Sequence, residues 1–413
     1  MGALPSDTTR YVDTVTGKPT TDFYNWLKTM QGGGDGKVAG FNVVDDFGAD
    51  PTGVADSSGP INNAIAALPN NGGDIWFPVG TYKIGSTITI GNGSSSAFST
   101  KQGVHLRGMG GPSIPIFDAV PQGGVRLNWS GAAGQDMISF VGVLHGWGVH
   151  NMVINAANVA SCCLHVRSCS YGLSENLYLL NATVANLWSS TWDPFTVVSV
   201  ADSIHNTYVN TQYQVGTANF AKAILLDGGL TAAGSVTSNT DFSVFINTLI
   251  SFGSGSALTR YGILARLCDT CQFIGLHMVP NGGAGAVGVQ FDYSFNTGFP
   301  GSISFYNPDV TTGGTNWAFN GSPAAGVVHQ IYGFERGNGA ALPTGIQNLT
   351  WYEAFSLKHS AGTTVGSLPA ASGAGGARFL ATDLTALTYG IVAVGGGANI
   401  GPVYSDGTNW RQG

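Results

Sequence analysis

The chain has 413 residues, of which only 9% are charged and 62 are glycine, against about 25% and about 7% in ordinary soluble domains. No apolar run approaches the roughly 20 residues that span a bilayer, and plentiful aromatic and β-branched residues argue against disorder. A net charge of −7 argues against a nucleic-acid partner, which needs a basic surface, and leaves a folded, β-rich chain with room for one large domain and small appendages.

Residues 1–36 stand apart. Thr21–Lys28 reads as a short amphipathic helix with Phe23, Trp26 and Leu27 on one face. Gln31–Gly36 is a linker by composition. This segment is expected to anchor the chain on another protein. Met1–Arg10 lacks the charged start and apolar stretch of a secretion signal. With five cysteines, an odd number in a long chain, the expectation is folding in a reducing cytoplasm without a disulfide framework.

From Phe41 the pattern tightens. Phe41–Gly48 is strand-like and enters a turn at Asp50–Gly53; Pro60 suits the first position of a helix reaching Leu68, with Ile61, Ala64, Ile65 and Leu68 on one stripe. Ile75–Pro78, Tyr82–Ile84 and Thr87–Ile90 follow as short strands. Val44–Ala49, Gly53, Asp56, Ala64-Ile65, Gly72-Gly73, Phe77-Pro78 and Gly80–Tyr82 together resemble the opening of pectin-lyase-like β-helix proteins, which include pectate lyases, polygalacturonases and many phage tailspikes. The family's usual Asp-Asp pair reads Asp56-Ser57 here, and its Gly-Asp-Gly turn is altered. The resemblance covers the cap of a solenoid and implies the fold, not an activity.

The middle of the chain repeats. His150–Asn155, Glu175–Leu180 and His205–Asn210 share a polar residue, an Asn and a strand, and further apolar runs open at Val244, Cys271 and Ile303. Spacings between about 25 and 32 residues suit solenoid coils with variable loops. Stacked strands repeat each side-chain column about every 4.8 Å, so like charges would repel while Asn, Thr and apolar groups stack. That accounts for the low charge. Asn151, Asn176 and Asn206 are expected to form a ladder, with Glu175 stacked between His150 and His205.

After about Asp309 the periodicity fades. Ala377–Asp383, Tyr389–Gly395 and Val403–Arg411 read as three strands with Gly and Asp-Gly turns. They resemble the short C-terminal modules that close many phage tail proteins. A piece this small suggests a trimeric clasp.

Carboxylates carry the chemistry to look for, because glycosidic hydrolysis uses two of them, about 5 Å apart for retention and roughly 6.5 to 9.5 Å for inversion. The candidate catalytic residues are Glu175, Asp202 and Asp193. The irregular insertion 182–203 with Trp188 and Trp192, followed by Tyr208 and Tyr213, is the candidate sugar-stacking surface. Glu175, Asp202 and the tryptophan loop are expected on one face. The alternative is that the acids are solvated corner residues and the aromatics pack under the loop. Cys268-x-x-Cys271, near Cys162, Cys163 and His165 in a repeat, reads as buried thiols in preference to a zinc site. No metal, cofactor or Ser-His-Asp arrangement stands out.

The sequence therefore implies an all-β chain: a parallel β-helix over 37–345, a linker region 346–376 and a C-terminal β-module over 377–413. Right-handedness and trimerisation come from the tailspike resemblance. The expected role is a phage tailspike in the virion, made in the host cytoplasm and docked by its N-terminus on a tail or portal/adaptor protein. It would bind a host surface glycan, with depolymerase activity left open, and would use neither nucleic acid nor membrane insertion. A free polysaccharide lyase or hydrolase, and a structural or capsid-decoration protein, are the alternatives.

Overall fold

A computed structural model describes residues 40–92, 99, 101–110, 123–191, 203–230, 236–238, 240–253, 258–279, 283–294, 300–323, 327–332, 346–348, 364–368, 370–373 and 378–413. The expected anchor helix at Thr21–Lys28 lies outside the described residues. The chain divides into two compact units, 1–331 with 335–347, and 332–334 with 348–413.

The first unit is a parallel β-helix. Its coils contribute one strand to each of three parallel sheets. The first sheet runs Gly40–Asn42, Gly73–Phe77, Val104–Gly108, the leading halves of Gly148–Asn155 and Leu173–Leu180, then Thr207–Val209, Val244–Ile246, Gln272–Ile274 and Ser304–Tyr306. The second includes Gly80–Ile84, Val125–Trp129, the trailing halves of the same two long strands, Gln212–Val215 and Leu249–Phe252. The third runs from Ile88–Ile90 through Asp136–His145, Cys162–Ser170, Ala185–Ser190, Lys222–Leu226, Arg260–Ala265 and Ala286–Asp292 to Thr315–Asn320.

The bend between first and second sheets is built by asparagine. Asn151, Asn176, Asn210 and Asn247 all take positive φ, between 49° and 56°, the left-handed region that Asn tolerates better than other side chains. Asn176, Asn210 and Asn247 each donate to the Asn side chain one coil below, at 3.0, 3.2 and 3.1 Å, across 25, 34 and 37 residues. Asn206 is not in this ladder, contrary to the sequence expectation. It is buried, accepts from Trp147 Nε1 and Gly172 N at 3.0 Å, and donates to the Cys169 carbonyl at 2.8 Å.

Apolar columns fill the interior. Tyr208, Phe245, Phe273 and Phe305 stack face to face with centroids 4.7, 4.5 and 5.1 Å apart, matching the strand spacing of parallel sheets. All five cysteines are buried. One helix, Ser58–Ala67, covers the first coils with Ile61, Ala64 and Ile65 in the core. Asp56 holds its start by accepting from Ser58 N at 3.0 Å and from Gly85 N at 2.8 Å, which places Pro60 inside the first turn. Among the described residues no helix is long and apolar enough to cross a membrane.

The second unit pairs Arg378–Leu384, Asn399–Ser405 and Trp410–Gln412 antiparallel, over a small core of Ala381, Leu384, Ala393, Val403 and Trp410. The expected strand at Tyr389–Gly395 does not form. Only Val392 makes a bridge, to Arg411, and Tyr389 (81%) and Val394 (54%) are solvent-exposed.

Candidate functional site at the corner of the third and first sheets

The chain turns from the third sheet into the first through a second left-handed column. Tyr171, His205, Phe242 and Thr270 have φ of 56°, 55°, 51° and 51°. A bulky residue there is a steric outlier costing roughly 1–2 kcal/mol. The three rings nonetheless stack outward in one ladder, Tyr171 on His205 at 5.3 Å and His205 on Phe242 at 5.1 Å, with planes within 15°. Tyr171 is 58% and Phe242 47% exposed. Aromatic faces held in register and open to solvent offer a platform for pyranose rings.

One residue before this ladder lies a pair of acids. The short strands Ser203–Ile204, Thr240–Asp241 and Cys268–Asp269 form a small parallel sheet of their own, with Asp241 and Asp269 direct register partners. Thr240 and Cys268 are fully buried, so strand alternation sets Asp241 and Asp269 on the other side of the wall, where both are partly buried and Asp241 Oδ1 is shielded from solvent. Neighbouring parallel strands stand about 4.8 Å apart, close to the carboxylate separation of retaining glycosidases, about 5 Å. Stacking like charges is unfavourable, and elsewhere acids on the coils sit beside cations, as in Asp227 with Arg266 and Asp74 with Arg107. Asp269 Oδ1 accepts from Thr270 N at 2.7 Å, which fixes its orientation.

Of the residues singled out by sequence, Glu175 lies on the outer face of the first sheet. Its neighbours are His150 below and Val209 above, not His205. Glu175 Oε1 is 3.2 Å from His150 Nδ1, a contact poorly aligned for a hydrogen bond. His150 Nε2 shares a 3.0 Å hydrogen bond with His105 Nδ1. Burial, with Arg107 and His105 nearby, holds His150 down at about 3, so its ring is neutral at pH 7. Gly148 makes this pair fit: a Cβ there would collide with both imidazoles.

Trp188 lies on the outer face of the third sheet, stacked on His165 at 4.4 Å. It therefore does not share a face with Glu175. Tyr208 and Tyr213, expected at the surface, are core residues at 1% and 0% exposure. Strand alternation turns them inward, because the coil bends at Asn210 and not at Asn206. Trp192, Asp193 and Asp202 lie outside the described residues. Sequence reasoning missed Tyr171 and Phe242, although each sits at the same offset before a first-sheet strand as His205.

With this geometry in place, the comparisons with known proteins can be set beside it. Residues 40–186 match the family described as rhamnogalacturonase A/epimerase, pectate lyase-like. That segment is a pectate lyase-like domain. No curated protein sequence matches the chain. Among solved structures, it is similar to ORF18 of Geobacillus virus E2, at 14% identity and a TM-score of 0.44, over 98% of this chain and 80% of that one. It is also similar to an iota-carrageenase complexed with iota-carrageenan fragments, at 12% identity and a TM-score of 0.44, over 75% of this chain but only 56% of the enzyme. An alginate lyase from Paenibacillus sp. str. FPU-7 is similar at 10% identity and a TM-score of 0.44, over 70% of this chain and 97% of that one.

Proposed function

We propose that this protein is a phage tailspike that binds a bacterial surface polysaccharide along the Tyr171–His205–Phe242 ladder, with Asp241 and Asp269 as a hydrolytic pair. The observation that carries the reading is the conjunction itself: strained, exposed, stacked aromatics directly beside two in-register carboxylates. Sugar rings lie on the aromatic column while one carboxyl protonates the glycosidic oxygen and the other attacks the anomeric carbon. Tyr171 falls within the matched segment 40–186, but His205, Phe242, Asp241 and Asp269 lie beyond it, so the family match alone does not carry the site.

Two further parts of this reading concern partners. Residues 1–36 serve as the virion anchor, supported by their amphipathic pattern and glycine linker. The C-terminal unit holds copies of the chain together as a homotrimer, supported by the apolar surface of Leu387, Tyr389, Val394 and Ile400, each more than half exposed.

The test is to incubate the purified full chain with surface polysaccharides of candidate hosts and follow binding, reducing ends and unsaturated-uronate absorbance. Binding with new reducing ends and no absorbance rise is expected. Absorbance growth would replace hydrolysis with elimination, and no binding to any host glycan would end the tailspike reading.

A further inference from the structure

The outer face of the third sheet carries a second constellation, assembled from three successive coils. Asp136, His165 and Ser190 come from the strands Asp136–His145, Cys162–Ser170 and Ala185–Ser190. His165 Nδ1 is 2.6 Å from Asp136 Oδ2, and His165 Nε2 is 2.8 Å from Ser190 Oγ. The carboxylate fixes the tautomer: Nδ1 carries the proton and donates it to Asp136, leaving Nε2 to accept from the serine hydroxyl. Ser161 also donates to Asp136 Oδ1, so the carboxylate is oriented from two sides.

The surroundings suit a nucleophile. Trp188 stacks on the His165 ring with planes 4° apart, holding the imidazole in line, and its own Nε1 has no hydrogen-bond partner among the described residues. Arg167 is the register partner of Ser190 and faces the same side, so the cation belongs to the same outer face as the relay, where its charge acts on Asp136 and His165. Ser190 is only 4% exposed. A hydroxyl this enclosed reaches a small acyl substituent, not a sugar ring.

We propose that Ser190, His165 and Asp136 form an acyl-transfer relay that removes small O-acyl esters. Taking the ester to be a substituent of a glycan rests on the function proposed above. Ser190 Oγ attacks the ester carbonyl carbon as His165 Nε2 takes its proton. The tetrahedral adduct collapses, the C–O bond to the sugar breaks, and His165 returns the proton to the sugar hydroxyl. Water then attacks the acyl-serine by the same route, releasing the carboxylic acid and restoring Ser190.

The full chain should be treated with a fluorophosphonate probe, the labelled peptide mapped by mass spectrometry, and 4-nitrophenyl acetate turnover followed in parallel. Label on Ser190 in the unmodified chain is expected, and this readout needs no variant to fold. Asp136→Asn should lower turnover by about 100-fold or more, and Ser190→Ala should abolish it with the urea midpoint little changed. A label absent from Ser190, or turnover indifferent to both substitutions, overturns the relay. Label and turnover without acetate release from O-acetylated surface polysaccharide would leave the relay standing and overturn its glycan substrate.

Discussion

The Asn210 side-chain amide donates to Asn176 Oδ1 at 3.2 Å, across a coil of 34 residues. That bond sets the register of the helix above Glu175. In the sequence His205–Asn210, either Asn206 or Asn210 could occupy the corner, and choosing Asn206 shortens the coil by four residues. Their substitutions separate the two roles. Asn210→Ala removes exposed amide bonds and leaves Ala in the left-handed region, and should cost about 1 kcal/mol. Asn206→Ala orphans the buried Trp147 Nε1 and Gly172 N, and should cost roughly 3 kcal/mol. Urea midpoints of the two variants check this order.

The four-residue ambiguity shows which parts were legible. The cap was readable because its residues carry local instructions: Asp56 accepts from Ser58 N at the start of a helix whose stripe of Ile61, Ala64 and Ile65 faces the core. The solenoid was readable because strand–Asn–strand recurs. The site was not, because a column is defined by register between coils, and loops of unequal length hide register. Tyr208 and Tyr213 read as surface aromatics because they follow the irregular insertion directly, and only the register fixed at Asn210 turns them into the core. The Ser190–His165–Asp136 contacts join residues 25 and 29 positions apart, which no local motif announces.

Phe242 and Phe245 lie three residues apart on opposite sides of the wall, and their substitutions should behave oppositely. Phe245 is fully buried in the aromatic stack, so Phe245→Ala should destabilise by roughly 3–5 kcal/mol. Phe242→Gly relieves a left-handed aromatic and should raise stability by about 1 kcal/mol. The same change should weaken glycan binding about tenfold, ~1.4 kcal/mol. Thermal unfolding and glycan titration on both variants would show stability and binding moving in different directions.

Asp241→Asn and Asp269→Asn should each lower reducing-end release by at least about 100-fold while glycan binding holds, since protonation and attack need both carboxyls. The register places the two acids on adjacent coils, where like charges are unfavourable, so neither substitution should cost much stability. Equal activity of wild type and both variants would move the chemistry away from this pair.

The histidines set the acid limit of the fold. His150 and His329 are each held at about 3, His329 by burial and His150 by burial reinforced by Arg107 and His105. Unfolded histidine titrates near 6.5, so below that value the unfolded chain binds protons that the folded chain refuses. The stability these two groups contribute is complete above about pH 6.5. It falls as pH drops toward 3, by roughly 2–3 kcal/mol per histidine at about pH 4.5. Over most of this window the carboxylates remain charged, so the slope belongs mainly to histidine. Burial also lowers His105, His145 and His165, so His150→Gln removes one of several such groups and should make the urea midpoint less dependent on pH between about pH 6.5 and 4.5, without abolishing the slope.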